Sequence, residues 1–143
     1  MKRNILFAAA FVLTFAFFFS SNLFGKTGIS DTNKTFKENH IKMLLMGINS
    51  DNAGLIKSCI HYAGLYKITE TVDPLVDILN DKSKDFTTRV SAAMSIYNIG
   101  NNAGINAIRV FSESSKEEKI REVCSAIYQD YLDNQEKYLS TNP

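Results

Sequence analysis

The chain has 143 residues and carries 16 basic against 15 acidic side chains, a formal net charge of +1. This near balance provides no general attraction to nucleic acid or to an acidic substrate. With 7 Gly, 2 Pro and no Trp, the composition argues against a turn-rich sandwich or barrel and fits one ordinary domain.

The first 25 residues are typical of an export signal. Lys2 and Arg3 precede an apolar run over residues 5–19, which is short for a bilayer span and is followed by small polar residues. This pattern predicts a cleaved signal peptide over residues 1–25 and an exported protein, periplasmic or secreted. The alternative is that residues 1–24 remain uncleaved as an inner-membrane anchor, which would make the protein a membrane-tethered spacer.

The rest of the chain shows the spacing of helices. Residues 26–34 are polar without periodicity, which predicts a short flexible lead. From Thr35 onward apolar residues recur every three to four positions, and no stretch alternates as a strand would. Six helices are therefore predicted, over residues 35–48, 52–66, 71–80, 86–99, 103–113 and 116–136. They form a domain over residues 35–139, with a tail at residues 140–143.

Local signals mark several helix starts. Thr35 and Ser115 are each followed three residues later by Glu, which predicts capping boxes at the first and last helices. Asp51 and Asp85 are expected to be the N-caps of the second and fourth helices. Pro74 suits the first turn of the third helix, because its missing N–H is not needed there.

Segments of the chain repeat with a period of about 33 residues. The segment that begins at Ile56 overlays the one that begins at Arg89, and residues 72–75 overlay residues 105–108 at the same offset. The segment that begins at Arg121 repeats the pattern once more. Such a period predicts helix-pair units, each of which needs its neighbours to bury its apolar face.

The central copy resembles a known repeat. Residues 89–100, Arg-Val-Ser-Ala-Ala-Met-Ser-Ile-Tyr-Asn-Ile-Gly, with residues 103–108, are similar to the HEAT repeat of the phycobilisome-lyase type. That repeat reads Arg-x-x-Ala-Ala-x-x-Leu-Gly-x-Ile-Gly and continues Ala-x-Pro-x-Leu. Two residues depart from it: Ile56, in the preceding copy, stands where the repeat has Arg, and Tyr97 stands where it has Gly. The resemblance implies an all-α fold, a short right-handed α-solenoid of about three antiparallel helix pairs. It also implies a non-catalytic scaffold, with a lyase or small-molecule transferase of the bilin-lyase type as the alternative.

The residue types that could carry chemistry do not form a recognisable site. Cys59 and Cys124 fall at equivalent positions two repeats apart, about 20 Å if neighbouring helices pack at 8 to 10 Å, so both are predicted to be unpaired core residues. The two histidines have no metal-ligand spacing with each other or with a cysteine. Glu117 and Arg121 are expected to form an exposed i, i+4 pair. No catalytic residue, metal or cofactor is therefore expected.

The predicted binding surface lies on the second helix of each pair, which lines the concave face of such repeats. The outward positions in the repeat register are Lys57, His61, Leu65, Val90, Met94, Asn98, Glu122 and Gln129. Apolar residues at solvated positions predict a contact patch of Leu65, Val90 and Met94, with a polar rim of Lys57, His61 and Glu122. The patch would hold an unidentified protein partner and no nucleic acid. If the register is shifted by one residue, the three apolar residues belong to the core instead.

Overall fold

The computed structural model of the protein describes residues 29–141, with side chains from residue 37 onward. This part of the chain contains no strand, which confirms the all-α prediction. Its elements are α1 (Ile29–Ile48), α2 (Ala53–Leu65), a 3-10 turn (Thr69–Thr71), α3 (Val72–Asn80), α4 (Phe86–Ile99), α5 (Asn102–Ser114) and α6 (Glu118–Thr141). None of these helices combines the length and the apolar character that crossing a bilayer requires. The predicted signal peptide lies outside the described residues.

Two of the helix starts agree with the sequence signals. At α4, Asp85 is the N-cap, and its carboxylate accepts a hydrogen bond from the backbone N–H of Thr88 at 3.0 Å. The same helix ends at Gly100, whose φ of 70° is left-handed and suits a residue without a Cβ. At α3, Pro74 lies in the first turn.

Other helix starts differ from the prediction. The N-cap of α2 is Asn52 and not Asp51, because the Asn52 side chain accepts from the N–H of Leu55 at 3.0 Å. Thr35 lies inside α1 and so does not begin it. Ser115 Oγ accepts from the N–H of Glu117 at 3.3 Å, in place of the predicted bond to the N–H of Glu118.

Both ends of the helical region extend further than expected. α1 begins at Ile29, so residues 29–34 are helical although they were expected in the polar lead. Neither Gly nor Pro interrupts this stretch, and a lack of apolar periodicity does not by itself exclude a helix. At the other end, α6 continues to Thr141, into the segment expected as a tail.

The core is built around α4. From Thr35 onward the chain forms one compact unit, in which α4 contacts α2, α3, α5 and α6, and α3 also contacts α5. Positions that are equivalent in the predicted repeats are buried alike, as Leu75 and Ile108 show with no exposed surface. Cys59 and Cys124 are both buried and unpaired, as predicted.

Close packing holds α2 against α4. Ser95 Oγ on α4 donates a hydrogen bond to the backbone carbonyl of Ile60 on α2 at 2.8 Å. A Cβ added to Gly64 would lie 2.9 Å from Ser95 Cα, so the absence of a side chain at Gly64 allows this approach. The two helices that carry the predicted contact patch are therefore held side by side.

A buried arginine joins α4 to two further segments. The Arg89 side chain is 6% exposed; its Nε donates to the carbonyl of Leu79 at 2.9 Å, and its two Nη atoms donate to the Glu117 carboxylate at 2.7 and 3.1 Å. The predicted pair of Glu117 with Arg121 is wrong, since Arg121 donates to the carbonyl of Ser115 instead. A buried guanidinium needs a charged or polar partner more than an exposed one does, which explains why Glu117 turns to Arg89.

Candidate interaction surface

The outer face of α4 is set by which of its sides are buried. Ala92, Ala93, Ile96 and Ile99 are buried in the core, which leaves Met94 on the opposite side with 44% of its surface exposed. On α2 the buried residues Ile56, Cys59, Ile60 and Ala63 likewise leave Leu65 57% exposed. A register shift that places Leu65 and Met94 in the core does not agree with these exposures.

The third apolar residue of the predicted patch lies differently. Val90 is half-buried, so it contributes less surface than Leu65 or Met94. Tyr97, one helical heptad further along α4, is also half-buried, and its hydroxyl hydrogen-bonds to Asp130 on α6. Because α4 packs against α6 on this side, we assign Val90 to the flank of the exposed face and not to its centre.

Lys57 is fixed by α4. Its Nζ lies 3.4 Å from the Asp85 carboxylate and 3.5 Å from Thr87 Oγ1. Hydrogen bonds from the hydroxyls of Thr87 and Thr88, with one from the Thr88 N–H, hold the pKa of Asp85 well below its usual value. The carboxylate is thus ionised at neutral pH, and its charge balances that of Lys57.

The two remaining predicted rim residues are His61 and Glu122, and both are exposed. Glu122 lies on α6, which packs against α4. The His61 ring is tilted by 56° against Tyr62, with 5.7 Å between the ring centroids.

Two tyrosines next to this surface were missed in the sequence analysis. Tyr62 and Tyr66 stack with their centroids 6.1 Å apart and an angle of 16° between the rings, and they are 47% and 66% exposed. Their i, i+4 spacing on a helix is the signal that could have identified them. They add exposed aromatic area beside Leu65, and aromatic rings are enriched where proteins bind proteins.

The surface offers non-covalent contacts and little reactive chemistry. Within residues 29–141, no group of three or more His, Cys, Asp or Glu side chains is arranged to hold a metal ion. Burial raises the pKa of the Cys124 thiol to about 11 and also raises that of Cys59, so neither is an activated nucleophile. What remains is exposed apolar and aromatic area on α2 and α4, with one balanced ion pair at its edge.

No family model and no curated protein matches the sequence. The HEAT-type resemblance therefore stays an interpretation of the residues.

Proposed function

We propose that the protein is a non-catalytic scaffold that holds a protein partner on the outward face of α2, α4 and α6. Its helices would form a short right-handed solenoid of three antiparallel pairs, α1 with α2, α3 with α4, and α5 with α6. The contacts of α3 with α5, of α2 with α4 and of α4 with α6 support this arrangement for α2 to α6, because first helices then meet first helices and second helices meet second helices.

One observation carries the binding proposal: Leu65 and Met94 are large apolar side chains exposed on two helices that are held together. Their exposed fractions are 57% and 44%. Burying apolar area stabilises a complex, and a few central residues usually contribute most of the binding energy. The paired charges of Lys57 and Asp85 leave this part of the face without a strong net charge, which favours a partner surface that is itself apolar and weakly charged.

Alanine variants test the proposal. We expect Leu65→Ala with Met94→Ala to weaken capture of the partner from the native compartment about thirtyfold, with each side chain contributing about 1 kcal/mol. The matched control is Met43→Ala with Met46→Ala, since both methionines are 66% exposed on α1. Equal capture by the two double variants, at equal thermal stability, would exclude the patch.

We also propose that the protein acts outside the cytoplasm, on the basis of the basic and apolar segment at residues 2–19. N-terminal sequencing of the protein isolated from its host tests this. A new N-terminus near Gly25 supports export with cleavage, and retention of Met1 supports a membrane-anchored form.

A further inference from the structure

A cleft of about 400 Å³ lies away from the outer face, between the C-terminal halves of α3 and α5. The loops that follow these two helices, and Arg89 from α4, complete its lining. Its volume falls within the range of roughly 300 to 1,000 Å³ in which proteins bind small molecules.

One side of the cleft is apolar. Val76 on α3 and Val110 and Phe111 on α5 line it. Val110 is 42% exposed, and Val76 and Phe111 are half-buried, so all three retain surface that a ligand can cover. This side of the cleft suits a hydrocarbon body.

The other side has more hydrogen-bond donors than its acceptors engage, and more positive than negative charge. Both Glu117 oxygens accept from Arg89, and Arg89 uses three of its five N–H groups for Glu117 and the carbonyl of Leu79. Lys82 Nζ is 3.9 Å from Glu117 on a side chain that is 73% exposed. Lys116 is exposed and forms no ion pair with any residue described by the structure.

The acceptors in the cleft do not match this supply. The Glu117 carboxylate is already engaged by Arg89, which leaves Asp77 as the other carboxylate in the lining. Lys82 and Lys116 carry two positive charges against the single negative charge of Asp77. A ligand that brings an anionic oxygen pair would therefore supply both acceptors and negative charge, whereas a neutral ligand would supply acceptors without the charge and a cationic ligand would add to the positive charge.

We propose that this cleft binds the carboxylate of a ligand that has an apolar body. The carboxylate is held by Lys82, Lys116 and the remaining N–H groups of Arg89. The body lies against Val76, Val110 and Phe111. Both a free organic acid and the C-terminal residue of a peptide carry this chemistry.

Titration of the isotope-labelled protein, followed by its amide NMR spectrum, tests the proposal with three probes. Octanoate has both features, 1-octanol lacks the charge and acetate lacks the body. We expect octanoate to shift the amides around Asn80, Phe111 and Lys116, with a dissociation constant on the order of 1 mM or tighter. The other two probes should bind at least about tenfold more weakly. A peptide that ends in leucine then distinguishes the two sources. If the site binds peptide C-termini, the peptide with a free C-terminus should bind more tightly than octanoate. The same peptide with an amidated C-terminus lacks the carboxylate and serves as the control.

Two variants locate the site. Lys82→Ala with Lys116→Ala should weaken octanoate about tenfold, and Val110→Trp, which fills the cleft at an exposed position, should abolish the shifts. The control Lys42→Ala with Lys137→Ala removes the same charge from exposed lysines elsewhere and should leave binding unchanged. Equal affinity for octanoate and octanol, equal effects of the two lysine pairs, or no shift at the cleft would each overturn the proposal.

Discussion

Replacing Gly64 by alanine should separate α2 from α4. The added Cβ would lie 2.8 Å from Ser95 Oγ and 2.9 Å from Ser95 Cα, and the second atom belongs to the backbone, so rotation of a side chain cannot relieve the contact. Overpacking of this kind costs about 1 to 3 kcal/mol. Alanine recovers about 1 kcal/mol through helix propensity. Any separation also weakens the buried Ser95–Ile60 hydrogen bond, worth about 1 kcal/mol. The expected net loss is about 1 to 3 kcal/mol.

Chemical denaturation followed by circular dichroism measures this loss, and thermal melting should show a fall of at least about 4 °C. The matched control is Gly54→Ala in the same helix. A Cβ at Gly54 meets the Asn52 side chain at 3.4 Å, an ordinary contact, so this variant should be neutral or up to about 1 kcal/mol more stable than the parent. If Gly64→Ala is as stable as Gly54→Ala, the close approach of α2 and α4 is refuted.

Three further predictions concern other contacts. Gly47→Ala should destabilise the protein, because its Cβ would overlap Cys59 Sγ, and adding Cys59→Ala should restore stability in a double-mutant cycle. Cys59 and Cys124 should react with a thiol reagent at less than about one hundredth of their rate in denaturant, since burial raises the pKa of both; fast labelling of the native protein would contradict this. Arg89 lowers the pKa of Glu117, so this stabilisation is present above the unfolded value of 4.5 and is lost as the pH falls below it. Glu117→Gln should therefore lose less stability than the parent between about pH 6 and pH 3, by urea denaturation; an unchanged pH dependence would contradict the pairing.

Much of the fold could be predicted because the local signals and the apolar spacing agree. Residues 86–99 are the clearest case: Asp85 caps the helix, Gly100 ends it, and the spacing of the apolar residues between them predicts its buried side. Where two neighbouring polar residues can both cap, as Asp51 and Asn52 can, the choice depends on the path of the incoming chain. The spacing of residues in the sequence does not predict that path.

Two of the errors come from contacts between distant segments. Glu117 is four residues from Arg121, which predicts a local pair, but Arg89 is buried 28 residues away and takes the carboxylate. The position of Arg89 in the repeat, where the preceding copy has buried Ile56, was the available signal for such a partner. Val90 shows the same limit on the candidate surface: its spacing matches Met94, yet it is half-buried, on the side of α4 where Tyr97 hydrogen-bonds to Asp130 of α6.

Site-specific photocrosslinking in the native compartment tests the binding surface most directly. A benzoylphenylalanine is placed at Leu65, at Met94 or, as a control, at Met43, which is exposed on α1. We expect positions 65 and 94 to capture the same protein and position 43 not to capture it. Capture of that protein from position 43 with equal yield, or no adduct from positions 65 and 94, would contradict it.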